Sequence, residues 1–565
     1  MDKRFFLALF LSLIAIAISQ LLFPTRPKVV AVPQTAGNDS AGKGVTTSST
    51  ASSTVTSGAS AEVPVIAVEL PASSADTAIG STAMAAAETT TVLTPKSIYK
   101  FSNIGAAPIS ITIRDYKNRS PSGGLVDLAI AGSPLLGYQL VTPSDTVALS
   151  RVRFELSQNK DAKGGEILTY KAAVKALAVS ITYSIPRDTT ASYSMHVDGH
   201  LAGGQGQPYL LTELPRTLQS AEADTAADYQ SLAYSFKPQQ DRAGSVLFGK
   251  LDPGEKKLQP GPLGWIAVKN KYFVFGILAR DGGVPFSEVM LTGGPRTSKI
   301  ATTASATAVA ALRNDTFGFD VYAGPQESQR LMRVGRDFDQ VNPYGWSFLQ
   351  GVVHPIATKA IEAILWMHNR LHLSYGWVLV ILGVLIRLAL WPLNQGTMRS
   401  SLKMQELQPK LAAAQKKIKD PAQQREAIMR VYRDAGVSPF AGLTGCLPAM
   451  LPMPILFALF FVFQNTIEFR GVPFLWLHDI SVKDPFYILP LTMGISMYLL
   501  SWIGMRNAPP NPQAKMMSYM FPVMMTGVLL NLASGLNLYY TAQNIAALPQ
   551  QWILARERAK VRPAG

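Results

Sequence analysis

The spacing of apolar and polar residues divides the 565-residue chain into zones. Phe5 to Phe23 is a continuous apolar run behind Lys3 and Arg4, about as long as a bilayer crossing requires. It predicts an N-terminal anchor over 1–23. The alternative is a cleaved signal peptide, because Ala15-Ile16-Ala17 resembles a small-residue cleavage site. Either reading sends the next segment across a membrane. From 24 to 95 the chain is mostly Ala, Ser, Thr, Val and Pro, with little to bury, and reads as a flexible tether. From 96 to 342 the period is two, as in Ile109-Ser110-Ile111-Thr112-Ile113 and Tyr193-Ser194-Met195-His196-Val197. Turn signals recur at Asp281-Gly282-Gly283 and Gly293-Gly294-Pro295. This pattern predicts a large all-β domain, a sandwich.

After Pro343 the period lengthens to about 3.6. Trp346, Leu349, Val353, Ile356, Ala360, Ile364 and Met367 share one face of an amphipathic helix within 343–373. That helix either lies in the membrane interface or packs on the β domain. Apolar segments follow at 374–393, 443–463, 485–504, 518–532 and 536–555. With the first anchor they make six spans, so both termini lie on one side. The fourth of these segments has fifteen residues, about 22 Å of helix, and predicts local thinning of a hydrocarbon core of about 30 Å. Pro448, Pro452 and Pro454 predict bending in the span at 443–463. Between spans, Met404, Leu407, Leu411, Ala414 and Ile418 step as a helical seam, and Asp420-Pro421 begins a second helix that stops near Gly436. The segment 394–442 therefore reads as a helical hairpin, or else as a solvated spacer.

Composition supports the membrane assignment. Only 16% of residues are charged, against roughly 25% in soluble domains. The single cysteine, Cys446, excludes an intramolecular disulfide and cysteine-based metal clusters. The hairpin segment carries nine basic and four acidic residues, whereas 464–484 has two basic and three acidic. The positive-inside rule makes the first cytoplasmic and leaves the second outside with the β domain. Both termini are then cytoplasmic, and 556–565 is a basic tail. The cytoplasmic segments carry +11 of the net +15.

Chemistry is sparse in the spans. None of His196, His200, His354, His368, His372 and His478 lies in one, and no carboxylate does. The spans therefore lack a catalytic base, a metal site and a proton relay, and no phosphate-binding loop appears. No enzyme, metal or cofactor is expected. The one membrane charge is Arg387, which faces water or a partner or else snorkels to the interface. In the last span Asn537, Tyr540, Thr541, Asn544 and Gln551 form one polar stripe. Such a stripe either lines water or bonds neighbouring helices. Together with Arg387 it is consistent with a hydrophilic cavity open to the cytoplasm. Met493, Met497, Met505, Met516, Met517, Met520, Met524 and Met525 suit a surface that accepts varied apolar partners, or ordinary lipid-facing packing.

Several motifs, in order along the chain, resemble the YidC/Oxa1/Alb3 family of membrane protein insertases in its Gram-negative form. They are Gly264-Trp265-Ile266-Ala267-Val268-Lys269-Asn270-Lys271-Tyr272-Phe273, Tyr322-Ala323-Gly324-Pro325, Ile386-Arg387 through Trp391-Pro392-Leu393-Asn394, Gln408-Pro409-Lys410, Cys446-Leu447-Pro448 through Met453-Pro454-Ile455, and Ser534-Gly535-Leu536 through Tyr539-Tyr540. The resemblance implies an α-helical membrane protein with a five-helix core at 374–555, a periplasmic β-supersandwich, and a groove open to cytoplasm and lipid. By the same resemblance Arg387 is the groove arginine, Tyr540 contacts substrate, and the hairpin recruits through a docking surface that includes Lys403, Lys410, Lys416, Lys417 and Lys419. Gly383 stands where relatives often carry a small polar residue, and with Asn537, Thr541 and Asn544 it completes the expected groove. Expected partners are nascent membrane proteins, the Sec translocon and its accessory proteins, ribosome and targeting factors, and membrane lipids. A small-solute channel or transporter and a structural scaffold of the Sec machinery are the competing functions.

Overall fold

The computed structural model describes residues 87–143, 145–187, 193–203, 206–296, 298–342, 350–392, 421–434, 453–506 and 512–561. The N-terminal anchor, most of the tether, the five docking lysines and the Cys446 motif lie outside them.

The described chain up to Asn342 is mostly β, with every strand pair antiparallel. A four-stranded sheet runs in order through Thr89–Leu93, Ser97–Ser102, Ala107–Lys117 and Leu125–Asp127. Its first strand falls inside the stretch expected to be a tether. The run Thr89-Thr90-Thr91-Val92 is β-branched, and Val92 is buried at 2% exposure, so low aromatic content concealed a paired strand.

The second sheet starts at Thr146–Ala148 and passes through Gly137–Val141, Tyr209–Glu213, Ala304–Ala311 and Phe286–Gly293 to the long strand Lys256–Lys269. From there it continues through Phe273–Ala279, Thr316–Pro325, Ser194–Ala202, Leu177–Ile185 and Glu166–Val174 to Glu155–Lys160. The long strand changes partners partway along. Lys256–Pro260 pairs with the Phe286–Gly293 strand, whereas Trp265–Lys269 lies between Phe273–Ala279 and Ala233–Pro238. Its register breaks between Pro260 and Leu263, where Pro260 and Pro262 have no N–H to donate. A strand that crosses between layers at such a break builds the corner of a sandwich. The expected alternation is visible in Ala304–Ala311, whose residues are buried at every second position. Phe273–Ala279 is buried throughout, as a strand covered on both faces must be. The motif at 264–273 closes this hairpin: Asn270 Oδ1 accepts from the N–H groups of Tyr272 and Phe273 at 3.2 and 2.8 Å, and Lys269 Nζ donates to Asn342 Oδ1 at 2.6 Å.

Nine helices lie among the described residues: α1 (Thr225–Gln230), α2 (Ser328–Val334), α3 (Gln350–Leu371), α4 (Tyr375–Ala389), α5 (Pro421–Asp434), α6 (Met453–Asn465), α7 (Ile488–Met505), α8 (Pro512–Leu529) and α9 (Ser534–Val561). The amphipathic α3 buries Val353, Ala357, Ile361, Ile364 and Met367. That face packs on α6 within the core, not on the β domain, while Trp366 stays exposed. Among the described residues only α7, about 27 Å long, is both long and apolar enough to cross a bilayer. The fifteen-residue α4 and the segment Pro454–Asn465 are apolar but shorter. The span expected at 518–532 is longer than its apolar stretch: α8 begins at Pro512, because proline suits a first helical position, and ends before the Ser534-Gly535 break. Pro454 is the second residue of α6, where proline needs no bend.

Contacts fix the helix directions. A Cβ on Gly535 would meet Leu379, one on Gly383 would meet Tyr539 and Gln543, and Trp391 O lies 3.5 Å from Gln550 Nε2. Helices α4 and α9 therefore run parallel. Asn544 meets Ser496 and Gln551 lies near Gly504, so α7 runs the same way. Helix α8 is antiparallel to α7, with Thr526 at Gly494 and Tyr519 at Tyr498.

Candidate substrate groove

The segment from Thr466 to Asp484 holds the N-terminal ends of all three parallel helices. The Tyr375 ring of α4 packs edge-on to Phe469 at 5.6 Å, and Gly376 is bare where the Phe474 ring sits. Asp484 caps α7, accepting from the N–H groups of Phe486 and Leu489 at 3.0 and 2.8 Å. The Ser534 N–H and hydroxyl both donate to Val482 O at 2.7 Å, and the Gly535 N–H donates to Ile480 O at 2.8 Å, which fixes the first turn of α9.

This segment also joins the β domain. Arg470 Nε pairs with Glu222 at 2.7 Å, and its Nη2 donates to Lys117 O and Ala221 O, both at 2.9 Å. Both side chains of the pair are below a tenth exposed. Arg119 of the β domain pairs with Asp479. Nearby Glu468 is pushed up to about 7 by burial and by the charge of Glu327, against the backbone N–H groups of Glu468 and Ser328.

Toward this outer end the bundle is dry. Leu379, Leu382, Phe463, Leu477, Ile480, Leu536 and Tyr539 form one buried cluster. Polar groups begin at Asn537, between Leu536 and Tyr539, and continue further in. Asn537 is fully buried and donates through Nδ2 to Leu529 O at 3.1 Å, while its Oδ1 has no partner among the described residues. Thr541 donates to Asn537 O at 2.7 Å. Asn544 donates to Ser496 Oγ on α7 at 3.2 Å. Tyr540, half-buried, sets its ring 5.2 Å from that of Tyr539. Gly383 is buried against α9, so it serves close helix contact.

Arg387 lies one turn beyond Gly383, level with α9 between Gln543 and Gln550. It is half-buried, and its Nε is shielded from solvent without a hydrogen-bond partner among the described residues. None of the ion pairs among the described residues includes it. Arg387 and Tyr540 occupy neighbouring helices at successive levels, with no hydrogen bond between them. Two polar residues of this region escaped the sequence reading. Ser496 lies buried in the mostly apolar α7, and Gln550 is 2% exposed with Oε1 unpartnered among the described residues. The adjacent Gln550-Gln551 pair in an apolar helix was the available signal.

A cavity of about 570 Å³ lies in the β domain beside Asp198, Arg280 and Phe317. Arg280 and Asp198 are bound to each other there at 2.6 Å. That leaves the bundle, with its apolar packed end and an arginine further in that has no ion pair among the described residues, as the distinctive site. Fold and site together define a helical bundle, one of whose described helices is long and apolar enough to cross a bilayer, joined to a β-sandwich.

The family described as 60Kd inner membrane protein matches residues 366–561, and the YidC periplasmic domain family matches 89–357. The membrane protein insertase YidC of Chlorobium luteolum is 32% identical over 464 residues, covering 76% of this chain and 72% of that protein. That of Chlorobium limicola is 32% identical over 365 residues, 57% of this chain and 59% of the relative's length. An active YidC insertase crystal structure with its first transmembrane domain resolved aligns over 83% of this chain and 93% of that one, at 17% identity and a TM-score of 0.32. The chain belongs to the YidC family of membrane protein insertases. It is an inner-membrane protein with a periplasmic β-sandwich domain, and it acts in membrane protein insertion.

Proposed function

We propose that insertion runs through a groove bounded by α4, α7 and α9, open to the cytoplasm and closed outward by the dry cluster. The observation that carries this reading is the Nε of Arg387, shielded and without a hydrogen-bond partner among the described residues, one turn beyond Gly383. In a poorly hydrated site a charge attracts more strongly than in water, so Arg387 draws acidic substrate segments inward while their apolar parts leave into lipid. No covalent bond changes. Tyr540 is the substrate contact. Asn537, Thr541 and Asn544 set the groove wall through the hydrogen bonds described above, and Gly383 sets its closeness.

The remaining architecture belongs to the same proposal. The chain crosses the membrane six times with both termini cytoplasmic, the fifteen-residue α4 thins the bilayer, and the basic hairpin meets ribosome, targeting factor or anionic lipid. The protein works alone or beside the Sec translocon.

Site-specific photo-crosslinking from position 540 to a stalled nascent membrane protein tests the groove. An adduct is expected, and its absence with every substrate tried overturns the reading. Arg387→Ala is expected to impair insertion most for substrates with acidic translocated tails. Equal insertion of acidic and neutral tails in reconstituted vesicles would remove the steering role.

A further inference from the structure

The ion pairs between the β domain and the outer loop stand apart from the groove, yet two short links connect them to it. Arg119 holds Asp479, whose Oδ1 also accepts from the N–H of Ser481 at 2.8 Å. The carbonyls of the residues on either side of Ser481, Ile480 and Val482, hold Gly535 and Ser534 at the start of α9. Two residues beyond Gly535 is Asn537, and three further is Tyr540.

Arg470 works from the other end of the loop. Its hydrogen-bond partners Glu222, Lys117 O and Ala221 O all belong to the β domain, and its guanidinium lies 5.7 Å from the centre of the Phe273 ring. A guanidinium fork engaged on several acceptors fixes direction as well as distance. Gly471, next in the chain, has φ +80°, and a Cβ there would overlap the Arg119 guanidinium. The Arg119 guanidinium thus lies over a position, next to Arg470, that glycine fills without strain. Beyond them the loop also seats the first turn of α4 through Phe469 and Phe474.

We propose that the β domain braces the groove: through Arg119–Asp479 and Arg470–Glu222 it fixes the outer loop, and the loop fixes where α4 and α9 stand relative to each other. Arg119 and Arg470 are then positioning residues for insertion, acting on Tyr540 and Arg387 without touching substrate. This inference rests on the groove reading above.

The test uses the full-length protein in inner-membrane vesicles, with a photo-crosslinker at position 540 and a stalled single-span nascent chain. Arg119 is about a third exposed, so its replacement leaves the core intact. Arg119→Glu sets two carboxylates against each other and is expected to lower the adduct yield at least threefold. Arg119→Ala, which removes attraction without adding repulsion, is expected to give a smaller loss. Adding Asp479→Asn to Arg119→Glu removes the repulsion while Asn Oδ1 keeps the Ser481 N–H, and is expected to recover at least half of the lost yield. A simple folding defect at position 119 would not respond to the second change. The brace is overturned if Arg119→Glu and Arg119→Ala both leave the yield within 1.5-fold of the parent protein, or if Asp479→Asn restores nothing. Failure of the groove reading is separate, because it shows as no adduct in the parent protein.

Discussion

Gly383 lies against the backbone of Tyr539: a Cβ at position 383 would stand 2.9 Å from the Tyr539 carbonyl oxygen and 3.3 Å from Ala542 Cβ. Backbone cannot swing aside as a side chain can, so any residue larger than glycine drives α4 and α9 apart. Gly383→Ala is expected to destabilise the helical region by about 1–3 kcal/mol, and Gly383→Leu to abolish insertion. Thermal aggregation in detergent and an insertion assay check both, and an unchanged melting temperature for Gly383→Leu would contradict the close packing.

Ser496 and Asn544 offer a milder case. Hydrogen bonds between membrane helices contribute only about 0.6–2 kcal/mol, and Ser496 Oγ also donates to Met493 O at 2.7 Å within its own helix. Ser496→Ala should cost about 1 kcal/mol in a denaturant titration and leave insertion active. Complete loss of insertion would mean that Ser496 contacts substrate directly.

Arg470 and Glu222 form the pair for which removing one partner is most damaging. Leaving one buried charge unpaired costs roughly 3–5 kcal/mol, so Arg470→Ala should strongly lower the melting temperature. Arg470→Lys, which keeps the charge but has no planar fork, should fall between Ala and the parent. Equal stability of all three would show that the pair is hydrated and weak.

Glu468 gives the joint between β domain and bundle a pH dependence of definite sign. The folded protein holds this proton up to about 7, whereas the unfolded chain releases it near the ordinary 4.5. Stability therefore falls as pH climbs across that window and levels off above it. Glu468→Gln, which cannot ionise, should flatten the profile and be the more stable protein at pH 8. A profile identical to that of the parent would place the titration elsewhere.

Much of the fold was legible because its periods are clean. The alternation at 96–342 translates directly into half-buried strands such as Ala304–Ala311. What stayed hidden was whatever depends on distant neighbours. The strand at Thr89–Leu93 looks like linker until Ser97–Ser102 pairs with it. The seam of α3 identified the buried side but not its partner, since α6 is almost a hundred residues away. For the groove, charge scarcity singled out Arg387 and the polar stripe. Sequence could not separate residues that bond neighbouring helices, such as Asn537 and Asn544, from those left for another molecule. Nor could it foresee that Glu222 and Arg470, both ordinary surface types, are buried together.

The loop Thr466–Asp484 has a mechanical consequence. Three parallel helices clamped at the same end behave as cantilevered posts: small tilts about the clamp barely move Leu536 or Leu379, and displacement grows with distance from it. About 1.5 Å is added per residue, so Arg387 rides roughly 12 Å further from the clamp than Leu379. Lateral room between the helices therefore opens first and widest at the end away from the loop, while the packing at Leu379 and Leu536 stays closed.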